Sequence, residues 1–192
     1  SSAASDVYKR QAYVTLKSAY TNKSVKCKVI VKKTKYIAFT FDDGPGIYTD
    51  KLLDSLEKYH SQATFFVLGN RVSSFKNELK REHALGMEIG SHTYSHKNLK
   101  TISSSSVKSE ISKTNSAVSK IIGEKPTVLR PPYGNYNKTV SKTAGVPMIY
   151  WTVDTLDWKY KNTKRVCNTI LKNAGDSEIV LLHDIHETSA VS

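Results

Sequence analysis

From residue 36 onward the chain alternates short apolar runs with longer amphipathic stretches, and this alternation limits the fold more than any other feature. Residues 36–41 (YIAFTF) and 63–68 (ATFFVL) are apolar, β-branched and aromatic, which predicts two buried strands. Between them, residues 50–60 place three leucines on one helical face. The same reasoning predicts helices at residues 73–84 and 103–122, and strands at residues 86–90, 127–129, 147–153 and 178–182.

Strand and helix in regular alternation predict an α/β fold with a parallel sheet. About six or seven such units are present, and no GxGxxG motif follows the first strand. We therefore expect a small or incomplete barrel rather than a dinucleotide-binding sheet. Residues 12–33 are rich in Val, Tyr, Thr and Lys, and we interpret them as one or two strands that lead into this domain or end an upstream one.

Residues 1–11 (SSAASDVYKRQ) match the translation of a common transposon-end adapter, so we interpret them as non-native. On that interpretation the native start is missing, and we expect the barrel to be truncated at its C-terminal end as well. The predicted organisation is an adapter-derived segment at residues 1–11, a β-rich lead-in at 12–34 and a single α/β domain at 35–192.

Charge and composition narrow the class of partner without identifying one. The formal net charge is +12, from 29 Lys and Arg against 17 Asp and Glu, and such a surface attracts nucleic acid, anionic lipid or acidic cell-wall polymers. No apolar run approaches the ~20 residues that span a bilayer. Cys27 and Cys167 fit no CxxC pattern, and we expect two separate thiols rather than a disulfide.

The polar residues that interrupt the apolar pattern follow the ends of predicted strands. In a parallel barrel the carboxyl ends of the strands converge on one mouth, where active sites lie. Residues far apart in the sequence are therefore expected to meet there. The residues concerned are Asp42, Asp43, His92, Arg130, Asp154, Asp157 and His183.

Residues 91–96 (SHTYSH) carry His92 and His96 at a spacing of i, i+4, which one helical turn would place on the same face. Histidine pairs at this spacing are frequent zinc ligands, although two surface histidines near a helix start are the alternative for an isolated motif. Together with Asp43 they would make a three-ligand site with positions open for water or substrate. Asp42 and Asp43 also suit a plain turn, because a Gly-Pro pair follows them.

Two other strand ends carry groups that can orient a carboxylate or donate a proton. Arg130 opens a rigid Pro-Pro loop, and its fixed charge could orient Asp42, although a surface arginine in a structural turn fits equally well. A carboxylate near His183 would raise the pKa of that histidine and suit it to general acid catalysis. A noncatalytic histidine is the alternative. Trp158 and Leu181 could form an apolar wall.

Five ordered motifs together resemble the polysaccharide deacetylases of carbohydrate esterase family 4, which share the NodB homology domain. The motifs are residues 40–45 (TFDDGP), 91–96 (SHTYSH), 130–134 (RPPYG), 154–158 (DTLDW) and 181–184 (LLHD). The resemblance runs from about residue 35 to the C-terminus without a departure at a functional position. It implies a distorted (β/α)7-type, NodB-like barrel with a groove for a glycan chain that carries N-acetyl groups.

The resemblance also implies a role for each functional residue in the first motifs. Asp43, His92 and His96 would bind one divalent metal ion, Zn²⁺ or Co²⁺. Asp42 would be the base that activates water, and Arg130 would position it. These assignments suit amide hydrolysis, because an amide needs both a polarised carbonyl and a nucleophile at neutral pH.

The remaining motifs would act on the leaving group and the acyl group. By the same resemblance, Asp157 would tune His183, which would protonate the leaving amine. The Tyr133 backbone N–H would help to hold the oxyanion. Trp158 and Leu181 would line the pocket for the acetyl methyl group.

These expectations form one functional hypothesis: a hydrolase that removes N-acetyl groups from N-acetylglucosamine in peptidoglycan, outside the cell or at its surface. Bacterial walls carry anionic polymers, which suits the basic surface. Chitin oligosaccharides, N-acetylmuramic acid and acetylated xylan stay open as substrates. A noncatalytic glycan-binding module is a further alternative, which the presence of Asp42 and His183 disfavours. No nucleic-acid-binding motif accompanies the charge, and we expect a monomer with a glycan partner and no nucleic-acid partner.

Overall fold

The computed structural model describes residues 10–17, 24–31 and 35–186. Contacts divide the chain into two units, Ser1–Tyr36 and Ile37–Ser192. In the first unit, β1 (Arg10–Lys17) pairs antiparallel with β2 (Ser24–Val31). Strand β1 includes the last two residues of the segment that we interpret as an adapter, and residues 1–9 lie outside the described part.

The second unit alternates strands and helices, as the sequence pattern predicts. Two short 3₁₀ turns, Leu99–Thr101 and Pro132–Gly134, interrupt the alternation. The elements in chain order are β3 (Ile37–Asp42), α1 (Thr49–Lys58), β4 (Ala63–Val67), α2 (Lys76–Ala84), β5 (Glu88–Ser91), α3 (Ser104–Ile122), α4 (Lys138–Ala144), β6 (Val153–Asp154), α5 (Asp157–Tyr160), α6 (Thr163–Asn173) and β7 (Glu178–His183).

All five strands of this unit run parallel, in the order β5-β4-β3-β7-β6. Beyond β5, Leu129 forms single bridges to Ser91 on one side and to Met148 on the other. Residues 147–154 therefore pair with Leu129 at their start and with β7 at their end, so the series of strands closes on itself. This closure confirms the α/β barrel, and the single-bridge positions are where it is distorted.

The barrel core is apolar and its helices are amphipathic, as the hydrophobic pattern of the sequence predicts. Helix α1 buries Leu52, Leu53 and Leu56 against the sheet. Helix α3 begins after Ser103, whose side chain accepts a hydrogen bond from the Ser106 N–H, and it ends at a left-handed glycine. These caps satisfy backbone groups that the helix itself leaves unpaired.

Several predicted boundaries differ from the structure. Helix α2 begins at Lys76 rather than at residue 73, because a series of turns occupies residues 70–75. The predicted strands at 127–129 and 147–153 shrink to the Leu129 and Met148 bridges and the two residues of β6. Prolines stand at positions 126, 131, 132 and 147, and a proline has no N–H for a strand ladder.

Two expectations from composition can be compared with the described residues. None of the helices in this part of the chain has the length and apolar character that would let it cross a membrane. Cys167 is a free thiol. The side chain of Cys27 lies outside the described part.

Candidate functional site

The predicted meeting of strand ends occurs at the carboxyl ends of β3, β5 and β7. Asp42 is the last residue of β3, His92 directly follows β5 and His183 is the last residue of β7. Asp42 and His183 are register partners on adjacent parallel strands. The strand geometry thus brings two groups 141 positions apart in the numbering to the same edge of the sheet.

Three side chains form a potential metal centre, as predicted. Their ligand atoms, from Asp43, His92 and His96, all lie within 4.8 Å of one another. Asp43 Oδ1 is 3.6 Å from His92 Nε2 and 3.3 Å from His96 Nε2. This oxygen is buried and makes no hydrogen bond to a described residue. A buried, unpartnered carboxylate oxygen between two imidazole nitrogens is a donor set that suits a divalent cation.

A backbone contact fixes the ring of His92. Its Nδ1 lies 2.7 Å from the carbonyl oxygen of Arg130, so Nδ1 carries the proton and donates it, and Nε2 presents its lone pair to the centre. The ring is almost fully buried. Burial lowers the pKa of His92 to about 3, although the charge of Asp43 opposes the shift. The imidazole is therefore neutral, as metal ligation requires.

The loop between the two histidines is not helical, so the predicted helical turn is wrong. Thr93 and His96 both have left-handed backbones, with φ of 71° and 57°, and these reversals direct His96 toward His92. The buried carboxylate of Glu110 on α3 accepts hydrogen bonds from the backbone N–H groups of Tyr94 and Ser95 and from the Ser95 hydroxyl. Non-glycine residues with positive φ persist where surrounding contacts hold them.

The segment after Asp42 packs against a second buried carboxylate. Asp43 has φ of 72°, and a Cβ on Gly44 would lie 2.2 Å from Asp184 Oδ2. The Thr49 hydroxyl donates a hydrogen bond to this same Oδ2 and accepts one from the Gly46 N–H. Asp184 therefore supports the turn that carries Asp43, and only glycine fits at position 44.

Arg130 contacts Asp42 from inside the barrel. Its side chain is fully buried, and one Nη1 contacts Asp42 Oδ1 at 2.8 Å and the Thr40 hydroxyl oxygen at 2.7 Å. It also donates to the carbonyls of Ile149 and Tyr150. Burial raises the pKa of Asp42 to about 6, although the Arg130 guanidinium and His183 oppose the shift. The surface-arginine alternative is wrong.

His183 is paired with Asp157. Asp157 Oδ1 lies 2.8 Å from His183 Nδ1, and Oδ2 accepts the His183 backbone N–H at 2.8 Å. Burial disfavours the imidazolium, yet the hydrogen bond and charge of Asp157, with Asp42 and Asp43, raise the pKa of His183 to about 9. The two contacts fix the ring and present Nε2 as the free edge.

The three expected substrate-binding residues differ in exposure. Tyr133 is 64% exposed, has a left-handed backbone and places its ring edge-on to His96 with centroids 4.8 Å apart. Trp158 is 49% exposed, and its backbone N–H donates to Asp157 Oδ1. Leu181 is buried in β7 beside Thr40 and Asp154 in the strand register. Asp154 itself accepts a hydrogen bond from the Leu156 N–H.

Sequence reasoning missed the residues that support the site from behind. Thr40, Glu110 and Asp184 were given no role, although each is buried and polar. Two of them leave a signal in the sequence. Glu110 interrupts the apolar stripe of α3, and Asp184 directly follows His183 within the fifth motif. A charged residue on a buried face is rarely without a partner.

Several known proteins are similar to this chain in sequence. The family model described as polysaccharide deacetylase matches residues 30–149. The peptidoglycan-N-acetylglucosamine deacetylase PgdA of Listeria monocytogenes is 45% identical over 176 residues, which cover 90% of this chain and 38% of that protein. The peptidoglycan-N-acetylmuramic acid deacetylase PdaC of Bacillus subtilis is 42% identical over 157 residues, covering 81% and 34%. The chain thus spans little more than a third of either relative.

Solved structures share the fold. Peptidoglycan deacetylase PdaC from Bacillus subtilis matches with a TM-score of 0.80 and 42% identity, over 81% of this chain and 78% of that one. A family 4 carbohydrate esterase from Streptomyces lividans, solved in complex with acetate, matches with a TM-score of 0.78 and 29% identity, over 82% and 83%. The chain therefore belongs to the polysaccharide deacetylases of carbohydrate esterase family 4.

Proposed function

We propose that this chain hydrolyses N-acetyl groups on peptidoglycan, with N-acetylglucosamine as the sugar, at the cell surface or outside the cell. One observation carries the proposal. A carboxylate held by a buried arginine and a histidine held by a buried aspartate lie at adjacent strand ends beside a three-ligand centre. Amide hydrolysis needs a proton acceptor, a proton donor and an electrophile at one place.

Asp43, His92 and His96 would hold a divalent ion, and we propose Zn²⁺ or Co²⁺. The unpartnered Oδ1 of Asp43 and the free Nε2 atoms of both histidines fit either. When bound, such an ion polarises a carbonyl oxygen and lowers the pKa of water. Three protein ligands would leave coordination positions open to water and substrate.

Asp42 is proposed as the base. Its Oδ1 is held by Arg130 at 2.8 Å, whereas Oδ2 lies 3.7 Å from His92 Nε2 and so faces the metal centre. The carboxylate takes the proton of the attacking water as the water oxygen bonds to the acetyl carbon. Because arginine keeps its proton at neutral pH, Arg130 orients the Asp42 carboxylate and favours its ionised form.

His183 is proposed as the acid. The C–N bond of the amide breaks to release acetate, and the amine is a poor leaving group until its nitrogen is protonated. His183 donates that proton from Nε2, since Nδ1 is bound to Asp157. Its raised pKa keeps the imidazolium populated at neutral pH.

Substrate positioning is assigned to the rim of the site. We propose that the Tyr133 backbone N–H faces the developing oxyanion, where a preorganised donor lowers the barrier. Trp158 supplies an exposed aromatic surface and Leu181 a buried apolar one for the acetyl methyl group. Acetate, the proposed product, is the ligand in the Streptomyces lividans relative.

Acetate release from purified peptidoglycan by the zinc- or cobalt-loaded chain tests the proposal. Asp42→Asn removes the base while keeping its shape, and we expect its turnover to fall by about 10²–10⁴-fold. Asp154→Asn makes the same charge change at a carboxylate that accepts the Leu156 N–H, and it should retain activity. Equal turnover by Asp42→Asn and the wild type would contradict the assignment of Asp42 as the base. Glycan binding without acetate release would favour the noncatalytic module instead.

A further inference from the structure

A cleft between α2 and α3 lies outside the proposed active site. It encloses about 440 Å³, and it is lined by Gly69, Ser73, Lys76, Lys80, Tyr94, Ala117, Lys120 and Ile121. Lys113 adds a fourth ammonium group, with its Nζ 5.7 Å from the centre of the Tyr94 ring. We call Lys76, Lys80, Lys113 and Lys120 the lysine cleft.

The charges of the lysine cleft are not compensated by acidic side chains. None of its four lysines forms an ion pair within residues 35–186, and the lining residues include no Asp or Glu. Two cations near the cleft are paired: Arg81 on α2 contacts three carboxylates, and Lys97 lies 3.7 Å from Glu110. Four like charges at one concavity repel one another, and a bound anion would relieve that repulsion.

The floor of the cleft is the loop that carries the metal ligands. A Cβ on Gly69 would lie 2.7 Å from Tyr94 Cδ2 and 2.8 Å from the Thr114 Cα, so only glycine lets this ring pack so closely. The backbone of Tyr94 is held by Glu110 at its N–H and by the Asn70 N–H at its carbonyl. The cleft therefore has an aromatic floor held by packing and backbone hydrogen bonds, and exposed lysines at its sides.

We propose that the lysine cleft binds phosphodiester groups of an anionic polymer. Lysine is a phosphate-binding residue that acts as a point charge. Lys76 and Lys80 are separated by about one helical turn and Lys113 and Lys120 by about two, or ~6 Å and ~10 Å along their axes. This row of charges is longer than one phosphate ion can bridge, which favours a chain of phosphates over a single one.

The test measures binding of a glycerol phosphate oligomer to the metal-loaded chain by calorimetry, with no acetylated glycan present. This assay does not depend on deacetylation, so its result is independent of the proposed function. The triple variant Lys76→Gln/Lys80→Gln/Lys120→Gln is compared with Lys108→Gln/Lys138→Gln/Lys142→Gln. The second variant loses the same charge from exposed positions elsewhere on α3 and on α4. Inorganic phosphate is titrated in parallel.

We expect the oligomer to bind the wild type, and its Kd to rise at least about tenfold in the cleft variant and less than about threefold in the control. Chemical-shift changes in the wild type should include the Tyr94 amide. Equal weakening in both variants would mean that diffuse surface charge does the binding, and it would overturn the proposal. Inorganic phosphate binding as tightly as the oligomer would overturn the assignment to a polymer.

Discussion

Replacing Asp157 by Asn should change the pH range in which the chain is active. The substitution preserves size and leaves an amide oxygen to accept the Nδ1 proton of His183, but it removes the negative charge 2.8 Å away. Burial alone lowers the pKa of a histidine, and the hydrogen bond and charge of Asp157 contribute most to raising that of His183 to about 9. Without this charge we expect the pKa to fall to 6.5, its ordinary value, or below.

The size of the effect follows from these two values. The fall in pKa corresponds to about 3–4 kcal/mol, at about 1.4 kcal/mol per pKa unit. At about pH 8 roughly nine tenths of His183 would be protonated in the wild type and roughly 3% in the variant, so turnover should differ by about thirtyfold. Near pH 5.5 both forms would be mostly protonated, and this difference should nearly vanish.

The assay is the ratio of wild-type to variant kcat, measured by acetate release at each pH from about 5.5 to 9. A ratio cancels titrations that both proteins share, including that of Asp42. Circular dichroism and metal content check that the variant is folded and loaded, because the new amide nitrogen faces the His183 N–H and leaves it unpaired. Asp154→Asn is the matched control and should show a flat ratio. A flat ratio for Asp157→Asn as well would refute the role of Asp157 in setting the protonation of His183.

Three further substitutions test the packing and hydrogen bonding of buried groups. Gly44→Ala forces a Cβ into the Asp184 carboxylate, and we expect unfolding in urea to show a loss of about 1–3 kcal/mol; unchanged stability would contradict the packing. Glu82 is fully buried, and neither of its carboxylate oxygens has a hydrogen-bond partner among the described residues. Burial raises its pKa well above the ordinary value of 4.5, so the folded state disfavours the ionised form at neutral pH. Glu82→Met should therefore stabilise the protein by about 1–3 kcal/mol at neutral pH and by less near pH 4, whereas a lower urea midpoint would speak against this account. Glu110→Ala unpairs two N–H groups of the metal-ligand loop and should weaken zinc binding by about 10–100-fold in chelator competition, an effect that Lys108→Ala should not reproduce.

Much of the fold could be predicted because its central strands are buried on both faces. Strands β3, β4 and β7 read as continuous apolar runs, and the structure places each within one or two residues of its predicted bounds. The strands around Leu129 and Met148 were harder, since prolines restrict them to single bridges. Hydrophobic pattern reports burial, but it does not report how many ladder hydrogen bonds a segment forms.

The positions of site residues at strand ends could be predicted from the sequence. The positions of those on loops could not. Convergence of Asp42 and His183 follows from parallel strands alone. The approach of His96 to His92 depends on two left-handed residues and on the carboxylate of Glu110, which no spacing rule encodes. The prediction of the ligand pair was therefore made on a helical geometry that the chain does not adopt.

The burial of Arg130 has a consequence for how the protein loses activity. One guanidinium contacts β3 through Thr40 and Asp42, the carbonyls of residues 149–150, and the ring of Phe66 on β4 at 4.2 Å. Local opening of any of these segments would break contacts of the same side chain, so they should exchange amide hydrogens as one cooperative unit. Thermal inactivation should then coincide with global unfolding instead of preceding it, and a folded but disassembled active site should not accumulate.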